Sequence, residues 1–293
     1  MKNLAVLLCI IMASCQATEK EQTSEEVAWE PIWNGTDLTG WHSYLNTPYQ
    51  MKEDSTGNPI EAFGIDNDPL NVVSVVETDS GNAIRISGVA WGMIYTEDSY
   101  KNYHLKLKVK WGEAMHKPRE NGPRDSGLLY HGHGNIPGSE LSHPWMNSQE
   151  LQVQEGDMGD YWPVGEVEID VPTEKKDSLY YQYKEGAELH TFYCAQILPT
   201  ATQDSLAKRR IFKALNAEKP HGEWNDVELI TLGDSSIHIV NGEVVMRLYN
   251  SRIMNTDTPL NSGRLIIQSE GAEVFYKDLY MKSISEIPAK YSE

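Results

Sequence analysis

Tyr103-His104-Leu105-Lys106-Leu107-Lys108-Val109-Lys110 alternates without a break: Leu105, Leu107 and Val109 point one way, His104 and the three lysines the other. A period of two is the period of a β-strand, and one apolar face with one charged face is a strand that is dry on one side only. The same rhythm recurs outward from this stretch. It is read at 83–87, 126–131, 149–155, 166–171, 226–232, 236–240, 243–249, 264–269 and 273–284, with Gly, Asn, Asp and Pro between the runs. Asn241-Gly242 marks a two-residue hairpin, because both residues tolerate the positive φ of a type I′ turn. Helical spacing is scarce; the best instance, about 203–215, predicts a short surface helix on Leu206, Ile211 and Leu215. The expected fold is all-β: one two-sheet antiparallel β-sandwich over residues 29–293, undivided by any linker.

The 293 residues hold 25 Lys and Arg against 43 Asp and Glu, a net charge of −18. Such a chain is not expected to coat a nucleic acid, whose affinity for proteins comes mainly from cations on phosphates. Three cysteines cannot form a disulfide framework, and Cys194 is expected to be buried in a strand. Leu4 to Met12 is a nine-residue apolar run behind Lys2, too short for a bilayer but suited to the core of a signal peptide. Met12-Ala13-Ser14-Cys15 resembles a bacterial lipobox, which implies a signal peptide at 1–14, lipidation at Cys15 and a polar acidic tether over 15–28. The chain is then expected to be exported to the cell envelope and to meet the membrane only through that lipid.

Chemistry concentrates between Asp125 and Asp170. In Gln149-Glu150-Leu151-Gln152-Val153-Gln154-Glu155, Glu150, Gln152 and Gln154 share a strand face, and Leu151 and Val153 fill the core. Glu155 would point inward unless a bulge near Gln154 rotated it onto the face of Glu150. The Glu-x-x-x-x-Glu spacing resembles the catalytic strand of laminarinase-type glucanases, with Gln152 in place of their Asp. His131 and His133, two apart on an extended chain, are expected to point the same way. With Glu150 they make a candidate site for one divalent metal ion, or an acid and base pair. His143 lies in the following connection. Glu166, Glu168 and Asp170 share a face, either solvated or holding calcium. Trp91, Trp111, Trp145 and Trp162 flank these segments, and aromatic faces beside Gln and Glu suit sugar rings and their hydroxyls. At least half of the eight tryptophans are expected in the core.

Several segments in order resemble the 3-keto-disaccharide hydrolase family. They are Ile32 to Trp41 (IWNGTDLTGW), Ser126 to Tyr130 (SGLLY), Glu150 to Val153 (ELQV), Gly222 to Asn225 (GEWN), Asn241-Gly242 and Leu265 to Leu279. Asp125 stands where the family usually has Asn, and His131 where it often has Arg. The resemblance implies a concanavalin-like jelly roll that acts on 3-keto-glycosides by removing the acidified C2 proton, eliminating the aglycone and adding water. It assigns the base and metal roles to Glu150 with His131 or His133, and keeps Glu155 as a possible second carboxylate. It assigns sugar contacts to Gln152, Trp162, Trp91, Gln268 and Glu270. Two other readings stay open at this point: direct hydrolysis by paired carboxylates, and a lectin-like surface lipoprotein that binds glycans without cleaving them.

Overall fold

The computed structural model describes residues 27–292, apart from 50, 52, 54, 59, 140–143 and 195–208. Cys15, the signal segment, the tether up to residue 26 and His143 therefore lie outside the described residues.

Among the described residues, nineteen strands form two stacked sheets. The back sheet runs β4 (Val73–Thr78), β5 (Gly81–Ile86), β19 (Ala272–Ser283), β7 (Tyr103–Met115), β15 (Asn225–Leu232), β16 (Ser235–Val240) and β17 (Glu243–Ile253), with β1 (Glu30–Pro31) also against β19. The front sheet runs β3 (Gly64–Ile65), β2 (Trp41–Leu45), β6 (Gly92–Thr96), β18 (Arg264–Ser269), β8 (Asp125–His133), β9 (Asn147–Gln154) and β10 (Tyr161–Val164). At its far end β14 (Ile211–Phe212) joins β10 to β12 (Tyr181–Tyr183) and β11 (Val167–Lys175). β11 in turn pairs with β13 (Leu189–Tyr193) and with the second half of β17, which ties the two sheets together. Neighbours in sequence are often distant in the sheet, the mark of a jelly roll.

The alternation that opened the sequence is realised in β7. Leu105, Leu107 and Val109 are buried among Leu128, Leu151, Val153 and Ile267 of the front sheet, while Lys106, Lys108 and Lys110 keep partial exposure. Asn241 (φ 50°) and Gly242 (φ 84°) turn β16 into β17 across the pair Val240 and Glu243, as a type I′ turn requires. Two expectations need correction. Residues 203–208 lie outside the described region, and the rest of the expected helix holds β14 instead. Ile211 there fills a second core with Tyr161, Ile169 and Leu248, where an extended chain can pair with β10 and β12. The β12–β14 pair is parallel, so the sheets are not wholly antiparallel. Among the described residues no helix is long and apolar enough to cross a membrane.

Candidate active site

Strand alternation decides which residues reach the outer face of the front sheet. Leu128, Leu151 and Ile267 face the back sheet, so Gly127, Glu150, Gln152 and Gln268 face away from it. Glu150 stands opposite Leu129 on β8 and Trp162 on β10; Gln152 stands opposite Gly127. Gly127 is needed there. A Cβ at this position would collide with Oε1 of Glu150 and Oε1 of Gln268. The result is a cleft of about 600 Å³, with Glu150, Gln152, Gln268 and Glu270 on its floor and Trp91, Trp145 and Trp162 on its walls. Trp91 and Trp145 stack at 5.7 Å, and Trp145 is fixed by donating Nε1–H to the Gly92 carbonyl at 2.7 Å. Beyond the polar floor lies an apolar patch of Tyr44, Met93, Tyr95, Leu129 and Ile266 on the same face.

Seven buried polar atoms that line this cleft have no hydrogen-bond partner among the described residues. They are Nε1 of Trp91, Nε of Arg119, Oδ1 of Asp125, Oε1 of Glu150, Oε1 of Gln152, Nε1 of Trp162 and Oε1 of Gln268. Buried polar atoms are ordinarily paired, because an unpaired one costs about 1–3 kcal/mol. Three donors and four acceptors facing one cavity are therefore complementary to a ligand rich in hydroxyl and carbonyl groups.

Charge is compressed here as well. Arg119 Nη2 lies 2.7 Å from Asp125 Oδ2 and also grips Glu270. Gln154 donates to the same Asp125 oxygen at 2.8 Å. Burial, then the nearby charges of Glu270 and Asp125, hold the Glu150 carboxyl well above the usual carboxylate range; Arg119 and Arg210 offset only part of this. Burial raises Asp125 and Glu270 too. Arg210 is set by Asp157 at 2.5 Å and Asp160 at 2.8 Å, and its guanidinium lies 5.5 Å from the Trp162 ring. Arg209 lies 5.6 Å from the same ring.

The structure thus brings Glu150, Gln152, Gln268, Glu270, Trp91 and Trp162 together, and leaves His131, His133 and Glu155 out. Regular alternation would put His131 on the cleft face beside Leu129. Instead the ladder shifts between Tyr130 and His133, and His131 takes φ 56°. That bulge turns its ring into the core, edge-on to Tyr130 and Tyr103 at 5.2 and 6.3 Å. Burial there lowers its pKa to about 4. His133 is half-buried, its Nδ1 3.2 Å from the His131 carbonyl. The set His131, His133 and Glu150 is not assembled, and among the described residues no group of three or more His, Cys, Asp or Glu is arranged to hold a metal ion. Glu155 lies just past the end of β9, where no bulge rotates it onto the face of Glu150. Burial works to raise its pKa, but Arg124 at 2.9 Å and His221 at 2.9 Å outweigh it and hold Glu155 ionised below the usual range.

Glu168 and Asp170 share one cation, Arg252, at 3.0 and 3.3 Å. Cys194 is buried just past β13, at the cleft wall, and is in no disulfide. Three tryptophans of the eight are buried, Trp33, Trp41 and Trp111, fewer than expected. Sequence reasoning did not assign Arg119, Asp125, Arg209 or Arg210 to the site. The Arg119–Glu270 contact spans 151 residues, and nothing in local spacing announces it.

A family model described as 3-keto-alpha-glucoside-1,2-lyase-like domain matches residues 28–282. No curated protein is significantly similar to the chain. Two crystal structures from Parabacteroides distasonis, each described as a "putative glycosyl hydrolase", are similar. One is 20% identical, covers 88% of this chain and 94% of that chain, and has a TM-score of 0.46. The other is 16% identical, covers 88% and 100%, and has a TM-score of 0.47. The mixed linkage glucan GH16 of Bacteroides ovatus, in complex with a G4G4G3G product, is 11% identical over 87% of this chain and 98% of that chain, with a TM-score of 0.42.

Proposed function

The chain belongs to the family of 3-keto-alpha-glucoside-1,2-lyase-like domains, and from that membership and the geometry of the cleft we propose that it cleaves 3-keto-glycosides. The observation that carries the proposal is Glu150. It is a buried carboxyl with one unpaired oxygen, held above its ordinary pKa, in a cavity whose other unpaired atoms match a sugar. The family and the fold support a carbohydrate-active jelly roll, and the chemistry of the cleft extends that reading to a 3-keto substrate.

A ketone at C3 acidifies the C2 proton. Glu150, as carboxylate, takes that proton, and the C2–H electrons pass to the C3 oxygen as an enolate. A carboxylate with raised proton affinity is the better base for a carbon acid. The unpaired N–H groups of Arg119, Trp91 and Trp162 are the donors available to the enolate oxygen. As the enolate collapses, the C1–O bond breaks and the departing oxygen takes a proton. Glu270, kept above the usual range by burial, is the neighbouring acid suited to give it. Water then adds across C1 and C2, hydroxyl to C1 and proton to C2, and no electrons are exchanged with any other reagent. Because His131, His133 and Glu150 do not converge, no step is routed through a metal ion.

The test is turnover of 3-keto-glucosides beside their unoxidised parents, with wild type and Glu150→Gln. The proposal expects turnover of the keto forms alone, and a loss of about 10²–10⁴-fold in Glu150→Gln, the usual contribution of a general base. Binding of both without turnover of either would support a lectin-like role and defeat the proposal.

A further inference from the structure

A second groove, of about 750 Å³, lies away from the cleft on the outer face of the back sheet. It follows the wet face of β7. Lys106 lies 4.0 Å and Lys282 5.0 Å from the centre of the Trp29 ring; Lys106 stands opposite Tyr280 on β19, and Lys282 opposite His104 on β7. The acids in the groove are largely spoken for. Glu228 holds His104 at 2.7 Å and accepts from the Tyr291 hydroxyl at 3.1 Å, and Asp226 holds Lys108. Lys106 and Lys282 have no carboxylate partner among the described residues, on a chain of net charge −18. Two unneutralised ammonium groups beside exposed Tyr280 on a protein this acidic are a local exception that asks for an anion.

We propose that this groove is a second, non-catalytic site, which binds a carboxylate-bearing polysaccharide such as a polyuronate. Lys106 and Lys282 pair with carboxylates of the chain, and Tyr280 stacks on a sugar face. Lys106 on β7 and Lys282 on β19 stand on adjacent strands of one sheet face, where an extended polymer lying in the groove meets both. A narrow polymer suits the groove better than a bilayer does, because a planar surface would also press the exposed Asp278 and the half-exposed Asp226 against its headgroups. The site goes beyond the proposed cleavage reaction and does not depend on it.

Affinity electrophoresis of the purified full chain in gels containing polygalacturonate tests the site. Wild type is expected to be retarded by polygalacturonate but not by dextran, and less so as salt rises. Lys106→Gln/Lys282→Gln should weaken binding about tenfold, two exposed charge contacts being lost. Glu150→Gln should bind as wild type does, which separates this site from the cleft. Both lysines are on a wet face, so the double variant should keep the wild-type thermal midpoint; Lys106→Glu/Lys282→Glu, which reverses the charge, should abolish retardation. The proposal is overturned by absence of retardation, by equal retardation in dextran, or by retention in the double variant. Tighter binding to phosphatidylglycerol vesicles or to a single-stranded oligonucleotide would also overturn it.

Discussion

Glu150 is the residue on which the chemistry turns, and its setting makes opposite demands on stability and activity. Burying a carboxyl between Asp125 and Glu270 is unfavourable for the fold, since an ionised group there lacks water and faces like charges. Glu150→Gln should therefore raise the thermal midpoint at pH 7 by a few degrees, on the order of 1 kcal/mol, while removing turnover. A lower midpoint in differential scanning calorimetry would contradict this. The pH profile has a definite sign. A base works only when deprotonated, so the acid limb of kcat/KM should lie above the 4.5 of an ordinary glutamate. Asp125→Asn removes a neighbouring negative charge and leaves Arg119 less neutralised. Both changes stabilise the Glu150 carboxylate, so the limb should move to lower pH; a limb that stays or rises would contradict the assignment.

Strands β8 and β9 show what the sequence could reveal about this site and where it stopped. Alternation alone placed Glu150 and Gln152 on one face and Leu151 and Val153 on the other, and that is how they stand. The same rule put His131 beside them and failed, because a single residue at φ 56° reverses its side. Bulges depend on the partner strand and the turn beyond it, which no window of eight residues contains. Arg119 was invisible for a related reason. It sits in a connection without periodicity and meets Asp125 and Glu270 only after folding. The expected helix at 203–215 failed at Ile211, where pairing with two strands overrode a helical pattern of three apolar residues. Gly127 gives an element-scale test. It opens onto the cleft, so Gly127→Ala should displace Glu150 and Gln268 and reduce kcat at least tenfold while the chain still folds with a wild-type circular dichroism spectrum. Unchanged kcat would show that the space above Gly127 is not used.

Seen whole, the molecule separates its functions by sheet: a cleft on the outer face of the front sheet, and a lysine-lined groove on that of the back sheet. The core between them carries two histidines held neutral by burial, His131 with a pKa of about 4 and His238 of about 3. In the unfolded chain each takes a proton below about 6.5. Their contribution to stability is thus complete above that value and is lost as pH falls toward 4, by about 1.4 kcal/mol per pH unit for each histidine. Asp125, Glu150 and Glu270 act in the opposite sense, since they fold best with protons on. Calorimetry from pH 7 to 4 should show Glu150→Gln losing more of its stability on acidification than wild type, because it lacks one of these compensating groups; parallel curves would contradict the balance. At the N-terminus we propose lipidation at Cys15, so radiolabelled palmitate should enter wild type in a bacterial host and not Cys15→Ser; equal labelling would refute it.

We propose that a carboxyl base in the front-sheet cleft cleaves glycosides only after C3 has been oxidised. The direct measurement is release of aglycone from matched pairs of 3-keto-glucosides and their parents by the purified chain. Rapid release from the keto member of each pair and none from the parent is the expected result. Equal release from both, or release from the parent alone, would contradict the claim and return the cleft to ordinary hydrolysis by paired carboxylates.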